Sequence, residues 1–154
     1  MATPLVSEIE VARPPEEVYA YATDPTRFPE WQDDVVEVRL AGDGPPAVGS
    51  RFVTSRRMGR GPRTMTQEVT ELDAPRRWAA RGVDGAFRPH ATVTVEPIDG
   101  GSRSRVTFTL DFEGRGFGDL LVPVIRKMAA KTAPTSYRHL KERLEGRDDA
   151  KRAP

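Results

Sequence analysis

The stretch FGDLLVPVIRKMAAKTAPTSYRHLKERLE, from Phe117 to Glu145, predicts how the fold is organised. Its apolar residues recur at steps of three and four positions, which places them on one face of an α-helix. This face contains Val122, Ile125, Ala129, Ala133, Tyr137, Leu140 and Leu144. Asp119 is a suitable N-cap, and Gly146 stands where a helix C-terminus favours glycine. The sequence therefore predicts one long amphipathic helix near the end of the chain.

The chain before this helix is predicted to form mainly β-strands. Apolar and polar residues alternate in these segments, which is typical of strands that bury one face. Turn signals separate them, among them the run Asp99-Gly100-Gly101. The predicted strands are Pro4 to Ala12, Val35 to Leu40, Ser50 to Met58, Arg63 to Leu72, Arg76 to Gly82, Phe87 to Glu96 and Arg103 to Phe112. Two short helices are predicted after the first strand, one beginning at Pro15 and the other covering Thr26 to Trp31.

A strand with one apolar face must bury that face, and the C-terminal helix is the one segment long enough to cover such a sheet. The sequence therefore predicts an α+β fold in which a seven-stranded curved antiparallel sheet wraps around the long helix. A length of 154 residues suits a single domain with a substantial core. We place this domain at residues 1–146 and expect residues 147–154 to form a disordered tail.

The composition excludes several classes of function. Lys and Arg total 24 against 23 Asp and Glu, and this near-balance argues against a nucleic-acid-binding protein. The absence of cysteine excludes disulfides and thiolate chemistry. The N-terminus has no basic-then-apolar signal pattern, and no run approaches the roughly 18 apolar residues of a membrane span. We therefore expect a cytoplasmic protein without stable insertion in a membrane.

The motifs along the chain resemble one known superfamily. The opening segment EVARPPEEVYAYATDPTRFPEWQDDVVEVRL (Glu10 to Leu40) combines a strand, a Pro-x-x-Val-Tyr start of a helix, Asp-Pro, Pro-x-Trp and a valine-rich strand. Later matches are VGSRF (Val48 to Phe52), EVTELDAPRRWAARG (Glu68 to Gly82) and GGSRSRVTFTL (Gly100 to Leu110). Together they resemble the START-like, or SRPBCC, superfamily, and within it the polyketide cyclase/dehydrase group. The resemblance covers essentially the whole chain.

This resemblance implies a helix-grip fold with a cavity between the curved sheet and the long helix. The superfamily includes ligand carriers, aromatase/cyclases, quinone-binding proteins and stress-related members, so the fold leaves the function open. We expect the cavity to bind a hydrophobic small molecule that is polycyclic, polyketide-like or prenylated. The alternatives are a polyketide cyclase/aromatase that works without metal, and a member that interacts with a protein or a membrane. No cofactor is expected.

Strand alternation and the helix face together predict which residues line the cavity. Most of the predicted inward positions are aliphatic or aromatic, as a site for a hydrophobic ligand requires. The candidate ligand-binding residues are Trp31, Phe52, Arg56, Met65, Gln67, Trp78, Phe108, Met128, Thr132 and Tyr137. The alternative is that these side chains fill a solid core. A β-bulge would reverse the predicted faces beyond it.

Three of these candidates carry polar groups of chemical interest. A buried Arg56 would need an acid or an anionic ligand, whereas at the sheet edge it would extend into water. Gln67 is predicted to point inward beside it. Tyr137 belongs to the inward helix face, and its hydroxyl requires a hydrogen-bond partner when buried, either a ligand or backbone.

The histidines do not suggest a catalytic centre. His90 lies opposite Ala91 and Val93 in strand alternation and is therefore predicted to point outward. His139 stands among charged residues of the helix and is predicted at the surface. No catalytic residue is assigned from the sequence, and no metal site is expected.

The run RRMGRGPR, from Arg56 to Arg63, places four arginines around a glycine-containing hairpin. It is either a solvated hairpin or a surface that attracts a phosphopantetheine-bearing acyl carrier protein or an acidic lipid head group. An edge strand could pair in a homodimer, so the sequence leaves open whether the protein is a monomer or a dimer.

Overall fold

A computed structural model describes residues 4–58 and 61–152. Within these residues the strands are β1 (Leu5–Val11), β2 (Val35–Leu40), β3 (Arg51–Met58), β4 (Gly61–Asp73), β5 (Arg77–Gly82), β6 (Phe87–Ile98) and β7 (Arg103–Gly114). The helices are α1 (Pro15–Ala22), α2 (Phe28–Trp31) and α3 (Gly118–Arg152). Short 3₁₀ turns precede α2 and β7, at Pro25–Arg27 and Asp99–Gly101. This order agrees with the predicted one.

The strands of the described residues form one seven-stranded antiparallel sheet in the order β1-β7-β6-β5-β4-β3-β2. Helices α1 and α2 follow β1, and α3 comes last. The predicted α+β helix-grip fold is confirmed. Burial alternates along β1, as the sequence pattern predicts, with the Leu5, Ser7 and Ile9 side inward and the Val6 and Glu8 side exposed.

A bulge in β2 sets which of its valines face the core. The pairing with β3 shifts register between Val35 and Glu37. Val35 is buried and Val36 is 51% exposed, whereas Val38, three residues after Val35, packs against the core. Strict alternation would place Val35 and Val38 on opposite faces, and the extra residue of the bulge brings both inward.

The C-terminal part of α3 is hydrogen-bonded to the two residues that follow β1. Leu140 and Leu144 are completely buried in the core. A carboxylate oxygen of Glu145 accepts a hydrogen bond from the Ala12 amide at 2.9 Å, and the Arg13 guanidinium donates to the Glu145 carbonyl at 2.9 Å. These contacts fix one end of the helix against the sheet.

Helix α3 is longer than the sequence predicts. It continues through Arg152, so that Gly146 lies inside the helix rather than at its end. Disorder of the tail stays a prediction, and residues 153 and 154 lie outside the described residues, as do Gly59 and Arg60 of the predicted β3–β4 loop. In the described part of the chain, no helix is both long and apolar enough to span a membrane.

The core has two separate parts. The larger cluster packs the short helices and the C-terminal half of α3 against the sheet, and it includes Trp31, Trp78, Phe108 and Leu140. The smaller cluster consists of Met65, Phe87 and Ile125, with Phe112 packed against it. Residues of both clusters line one cavity, which therefore interrupts the core between sheet and helix.

Candidate functional site

A cavity of about 200 Å³ lies between the concave face of the sheet and α3. Strands β3 to β7 form its floor, α2 closes one side, and the middle of α3 covers it. Cavities of about 150 Å³ already accept a molecule of benzene size, whereas typical ligand pockets begin near 300 Å³. The cavity is therefore suited to a small ligand, or to a larger one that also occupies its mouth.

Nine of the ten predicted ligand-binding residues line this cavity. They are Trp31, Arg56, Met65, Gln67, Trp78, Phe108, Met128, Thr132 and Tyr137. Phe52 was also predicted to line the cavity, but its side chain faces the core and is not part of the lining. Its ring is 1% exposed and packs behind Phe28 and Trp78, at centroid distances of 5.9 Å and 6.3 Å. That the other nine bind a ligand stays a prediction.

Aromatic rings form one wall of the cavity. The ring of Tyr137 stacks on Phe108 with a centroid distance of 3.9 Å. Trp31 lies 6.2 Å from Phe108 and 6.4 Å from Tyr137, and Phe28 meets Trp31 edge to face at 5.7 Å. Such contacts hold large side chains in one arrangement. The planes of these rings meet at angles from 7° to 81°, so the wall presents both ring faces and ring edges to an apolar ligand.

The Tyr137 hydroxyl is a neutral hydrogen-bond donor at ordinary pH. Burial raises the pKa of Tyr137 to about 12, although the nearby positive charge of Arg56 acts to lower it. Among the described residues, no protein group hydrogen-bonds to this hydroxyl. A hydroxyl that lines a cavity and has no protein partner is available to a carbonyl or hydroxyl oxygen of a ligand.

Arg56 is half-buried and paired with an acid that the sequence did not suggest. Its guanidinium donates to a carboxylate oxygen of Asp34 at 3.0 Å, and the two side chains are 20% and 39% exposed. Both residues line the cavity. Glu68, on the neighbouring strand, pairs with Arg51 at 3.2 Å and not with Arg56. The carboxylate keeps the guanidinium compensated when no anion is bound.

Gln67 and Thr54 supply a second polar position. Both side chains are buried, and the Thr54 hydroxyl donates to Oε1 of Gln67 at 3.5 Å. Among the described residues, the amide nitrogen of Gln67 has no hydrogen-bond partner. Because its oxygen is already engaged, Gln67 presents its NH₂ group as the free donor of this part of the wall.

The indole nitrogen of Trp31 is buried without a hydrogen-bond partner among the described residues. The Trp31 side chain is 4% exposed. A buried N–H without a partner costs on the order of 1–3 kcal/mol. Trp31 packs against Phe28 and Phe108 and also lines the cavity, so ligand contact stays a prediction for it.

The sequence did not indicate several residues of the cavity. Asp34, Ile125 and Ser136 line the cavity and are not among the ten candidates. The pairing of Val35 with Arg56 places Asp34 beside the guanidinium. This pairing crosses a bulge, so strand alternation alone could not reveal it. Ile125 belonged to the predicted inward helix face, which was the available signal.

The two histidines lie outside the cavity. His90 is exposed on β6 and contacts the Glu113 carboxylate at 3.3 Å, and this hydrogen bond is the main reason that the pKa of Glu113 is lowered. His139 contacts Asp33 at 3.2 Å near the start of β2. The predicted orientation of His90 agrees with the structure. Within the described residues, no cluster of three His, Asp or Glu side chains could hold a metal ion.

A smaller cavity of about 150 Å³ lies between β1 and α3. Leu110, Ala133 and Tyr137 border both this cavity and the main one. Pro134 borders only the smaller cavity. The stacked ring of Tyr137 thus belongs to the wall between the two spaces.

These features, a curved antiparallel sheet around a long helix with an apolar cavity between them, define a helix-grip protein. Residues 3–145 match the model of the family described as "Polyketide cyclase / dehydrase and lipid transport". The chain belongs to this family, and the START-like assignment made from the motifs is confirmed. A comparison with curated proteins finds no match.

Solved structures with low sequence identity share the fold. TTHA0849 from Thermus thermophilus is 23% identical with a TM-score of 0.74, and the alignment covers 92% of this chain and 97% of that one. The Zhui aromatase/cyclase from Streptomyces sp. R1128 is 16% identical with a TM-score of 0.79, and 94% of each chain is covered. A START superfamily protein from Mycobacterium smegmatis is 15% identical with a TM-score of 0.76, covering 94% of this chain and 98% of that one.

Proposed function

We propose that this protein binds a hydrophobic, planar, oxygen-bearing small molecule of the polyketide or prenylated-ring class in the cavity between sheet and α3. The observation that carries the proposal is an apolar, aromatic-walled cavity whose polar groups are concentrated at a few positions. Ligand sites commonly combine such apolar walls with a few fixed polar groups that orient the ligand.

The polar groups define the ligand chemistry. The Tyr137 hydroxyl, the Gln67 amide and the Arg56 guanidinium are all hydrogen-bond donors. A matching ligand presents carbonyl, enol or phenol oxygens toward them and a flat hydrocarbon surface toward Trp31 and Phe108. The Arg56 pair with Asp34 favours a neutral ligand over a fully charged one, because the carboxylate already balances the guanidinium.

Binding is favoured over catalysis because the described residues that line the cavity include no convincing general base. The titratable residues that line it are Asp34, Arg56, Arg57 and Tyr137. Tyr137 is protonated at neutral pH, and burial raises its pKa still further above that pH, to about 12. Asp34 is the one candidate base in this set, and its carboxylate is held by Arg56.

A polyketide cyclase or aromatase is the second candidate. The likeness in fold to the Zhui aromatase/cyclase and the proximity of Arg56 to Tyr137 favour it. In such a reaction the guanidinium and the phenol would stabilise an enolate oxygen, while the walls hold the chain in one productive conformation. The substrate would then be a reactive poly-β-ketone, for which an acyl carrier protein is the proposed donor.

The test compares ligand retention in two matched variants. Ala129 is half-buried and lines the cavity, whereas its neighbour Ala130 is exposed. Native mass spectrometry of the purified protein should show a bound compound. If the protein is purified empty, it should take up the added neutral probe N-phenyl-1-naphthylamine. Ala129→Phe should abolish uptake by filling the cavity, and Ala130→Phe should retain it. Equal uptake by both variants would place the binding elsewhere.

A turnover assay separates the two candidates. The protein is incubated with a thioester-linked poly-β-ketone, either free or bound to an acyl carrier protein. An increase in the proportion of one cyclised product over the spontaneous mixture, lost in Arg56→Gln, would establish the enzyme. If the protein binds the compound without changing the product mixture, the result favours a ligand-binding protein over an enzyme.

A further inference from the structure

The first half of α3 and the turn residue before it expose a row of large apolar side chains to solvent. Their exposed fractions are Phe117 87%, Leu120 77%, Val124 57%, Leu121 45% and Met128 45%. Leu120, Val124 and Met128 follow one another at steps of four residues, so they lie along one side of the helix. These five residues are called the apolar stripe. An exposed apolar surface of this kind marks an interaction site more often than a solvated surface.

The apolar stripe is distinct from the face by which α3 packs on the sheet. In this half of the helix the inward side is formed by Ile125, which is 9% exposed, and by the half-buried Ala129. Ile125 completes the small core cluster with Met65 and Phe87. The stripe is therefore not required for the packing of the described fold.

Basic residues border the stripe. Lys127 and Lys131 are exposed and stand seven residues after Leu120 and Val124, which places each of them two turns further along the same side. Between Gly118 and Lys131 the exposed charged residues of the helix are Lys127, Lys131 and Asp119, since Arg126 is half-buried and paired with Asp111 at 3.0 Å. An apolar stripe bordered by lysines is the pattern of a helix that lies on an anionic membrane surface.

The stripe is continuous with the mouth of the cavity. Met128 belongs to the stripe and also lines the cavity, and the exposed Arg57 lines it from the opposite strand. A surface covering the stripe would therefore also face the opening. A hydrophobic molecule could then move between that surface and the cavity without crossing water.

We propose that the apolar stripe docks the protein reversibly on a membrane surface that contains anionic lipid. The five apolar side chains enter the boundary between head groups and acyl chains, and Lys127 and Lys131 contact the lipid phosphates. The charge favours this occupant over a second copy of the chain, because a second copy presents the same excess of basic residues. Docking requires no membrane-spanning segment.

The experiment is flotation of ligand-free protein with two kinds of vesicle, phosphatidylcholine alone and phosphatidylcholine mixed in equal parts with phosphatidylglycerol. The expected result is binding to the mixed vesicles that falls when the salt concentration is raised. Leu120→Ser with Val124→Ser should lower the partition coefficient by about tenfold or more, because apolar area is withdrawn from the bilayer. Lys127→Glu with Lys131→Glu should abolish the preference for the anionic vesicles.

Matched controls lie on β2, where Leu40 is 53% exposed and Arg39 is also exposed. Leu40→Ser and Arg39→Glu should leave flotation unchanged, and circular dichroism should show that every variant folds. Absence of binding to mixed vesicles, or equal binding by stripe and control variants, would overturn the proposal. A dimer in sedimentation equilibrium that Leu120→Ser with Val124→Ser converts to a monomer would also overturn it, in favour of a second copy. Because no ligand is used, these outcomes are independent of the proposed cavity function.

Discussion

The phenol ring of Tyr137 lies face to face on the ring of Phe108, with centroids 3.9 Å apart and an angle of 7° between the planes. One residue belongs to α3 and the other to β7, so the stack joins the helix to the sheet across the cavity wall. The stack holds the Tyr137 ring in place while its hydroxyl has no protein hydrogen bond among the described residues. The position of a ligand-facing donor is thereby fixed by packing.

The first prediction concerns this hydroxyl. Tyr137→Phe keeps the stacked ring and removes the donor, so the free energy of unfolding should change by less than about 1 kcal/mol. Affinity for an oxygen-bearing planar ligand should fall by about five- to tenfold, the value of one neutral hydrogen bond. Isothermal titration and urea unfolding measure the two effects. Tyr21→Phe, at a residue that does not line the cavity, is the control. Equal losses of stability and affinity would make Tyr137 a structural residue only.

The second prediction concerns the charge balance of the cavity wall. Asp34→Asn removes the carboxylate 3.0 Å from the Arg56 guanidinium and leaves a net positive charge there. The anion 8-anilinonaphthalene-1-sulfonate should then bind more tightly, whereas the neutral N-phenyl-1-naphthylamine, which lacks the sulfonate, should bind as before. Fluorescence titration measures both. Asp33→Asn is the control, because Asp33 contacts His139 and does not line the cavity. The prediction fails if Asp34→Asn changes both probes equally.

The third prediction concerns the start of α3. A Cβ on Gly118 would overlap the carbonyl oxygen of Ala86. This oxygen belongs to the backbone, so the clash cannot be relieved by a change of side-chain rotamer. Gly118→Ala should therefore destabilise the protein by about 2 kcal/mol or more. Gly42→Ala should be nearly neutral, since a Cβ at Gly42 has no atom within 4 Å. Thermal unfolding compares the two variants. A neutral Gly118→Ala would mean that the helix does not pack this closely against the turn before β6.

The fourth prediction tests where α3 ends. In the structure Gly146 is an exposed position within the helix, and a Cβ there would contact nothing within 4 Å. Gly146→Ala should then stabilise the protein by about 0.5–1 kcal/mol, because alanine is the better residue inside a helix. If the helix ended at Gly146, as the sequence predicts, alanine would instead destabilise a left-handed cap. The sign of the change in denaturation midpoint distinguishes the two cases.

The fifth prediction concerns acid stability. Burial acts to raise the pKa of Glu145, but the hydrogen bond from the Ala12 amide and the charge of Lys141 outweigh it and lower the pKa below its ordinary 4.5. A carboxylate with a lowered folded pKa contributes stability in full above the unfolded value and loses it as the pH falls through the folded value. The Glu145→Gln variant lacks this carboxylate. Its free energy of unfolding should therefore fall less than that of the wild-type protein when the pH is lowered from neutral to below the folded pKa of Glu145.

The measurement for Glu145 is urea unfolding at several pH values. Glu142→Gln is the matched control, because the Glu142 side chain is 64% exposed and contacts only Arg138 among the ion pairs of the described residues. The control should keep the acid dependence of the wild-type protein. An unchanged dependence in Glu145→Gln would show that the contact with Ala12 adds nothing to acid stability.

Much of the fold could be predicted because it depends on local periodicity. The three- and four-residue spacing that ends in Leu140 and Leu144 identified the helix face that is buried in the core. The alternation in β1 identified its buried side, and the glycine-rich turn at Asp99 identified the last hairpin. The residues around these patterns also supported the family, which the match over residues 3–145 confirms.

The candidate site was predicted in part, and the errors have a common cause. Most of the inward residues followed from alternation, but Phe52 lies behind the ring of Phe28, which comes from a different element. The partner of Arg56 was missed because Asp34 reaches it across a bulge. Neither relationship leaves a regular signal in the sequence.

The sequence by itself determined the order of elements, the buried faces of β1 and of the C-terminal half of α3, and the family, because these depend on the spacing of apolar residues and on turn chemistry. Only the tertiary structure decided that the core contains a cavity, that Asp34 compensates Arg56, and that the Tyr137 hydroxyl lacks a partner among the described residues. It also decided that the stripe from Phe117 to Met128 faces solvent. The physical reason is that cavities, ion pairs and exposed faces arise from distances between residues of different elements, and local periodicity does not specify those distances.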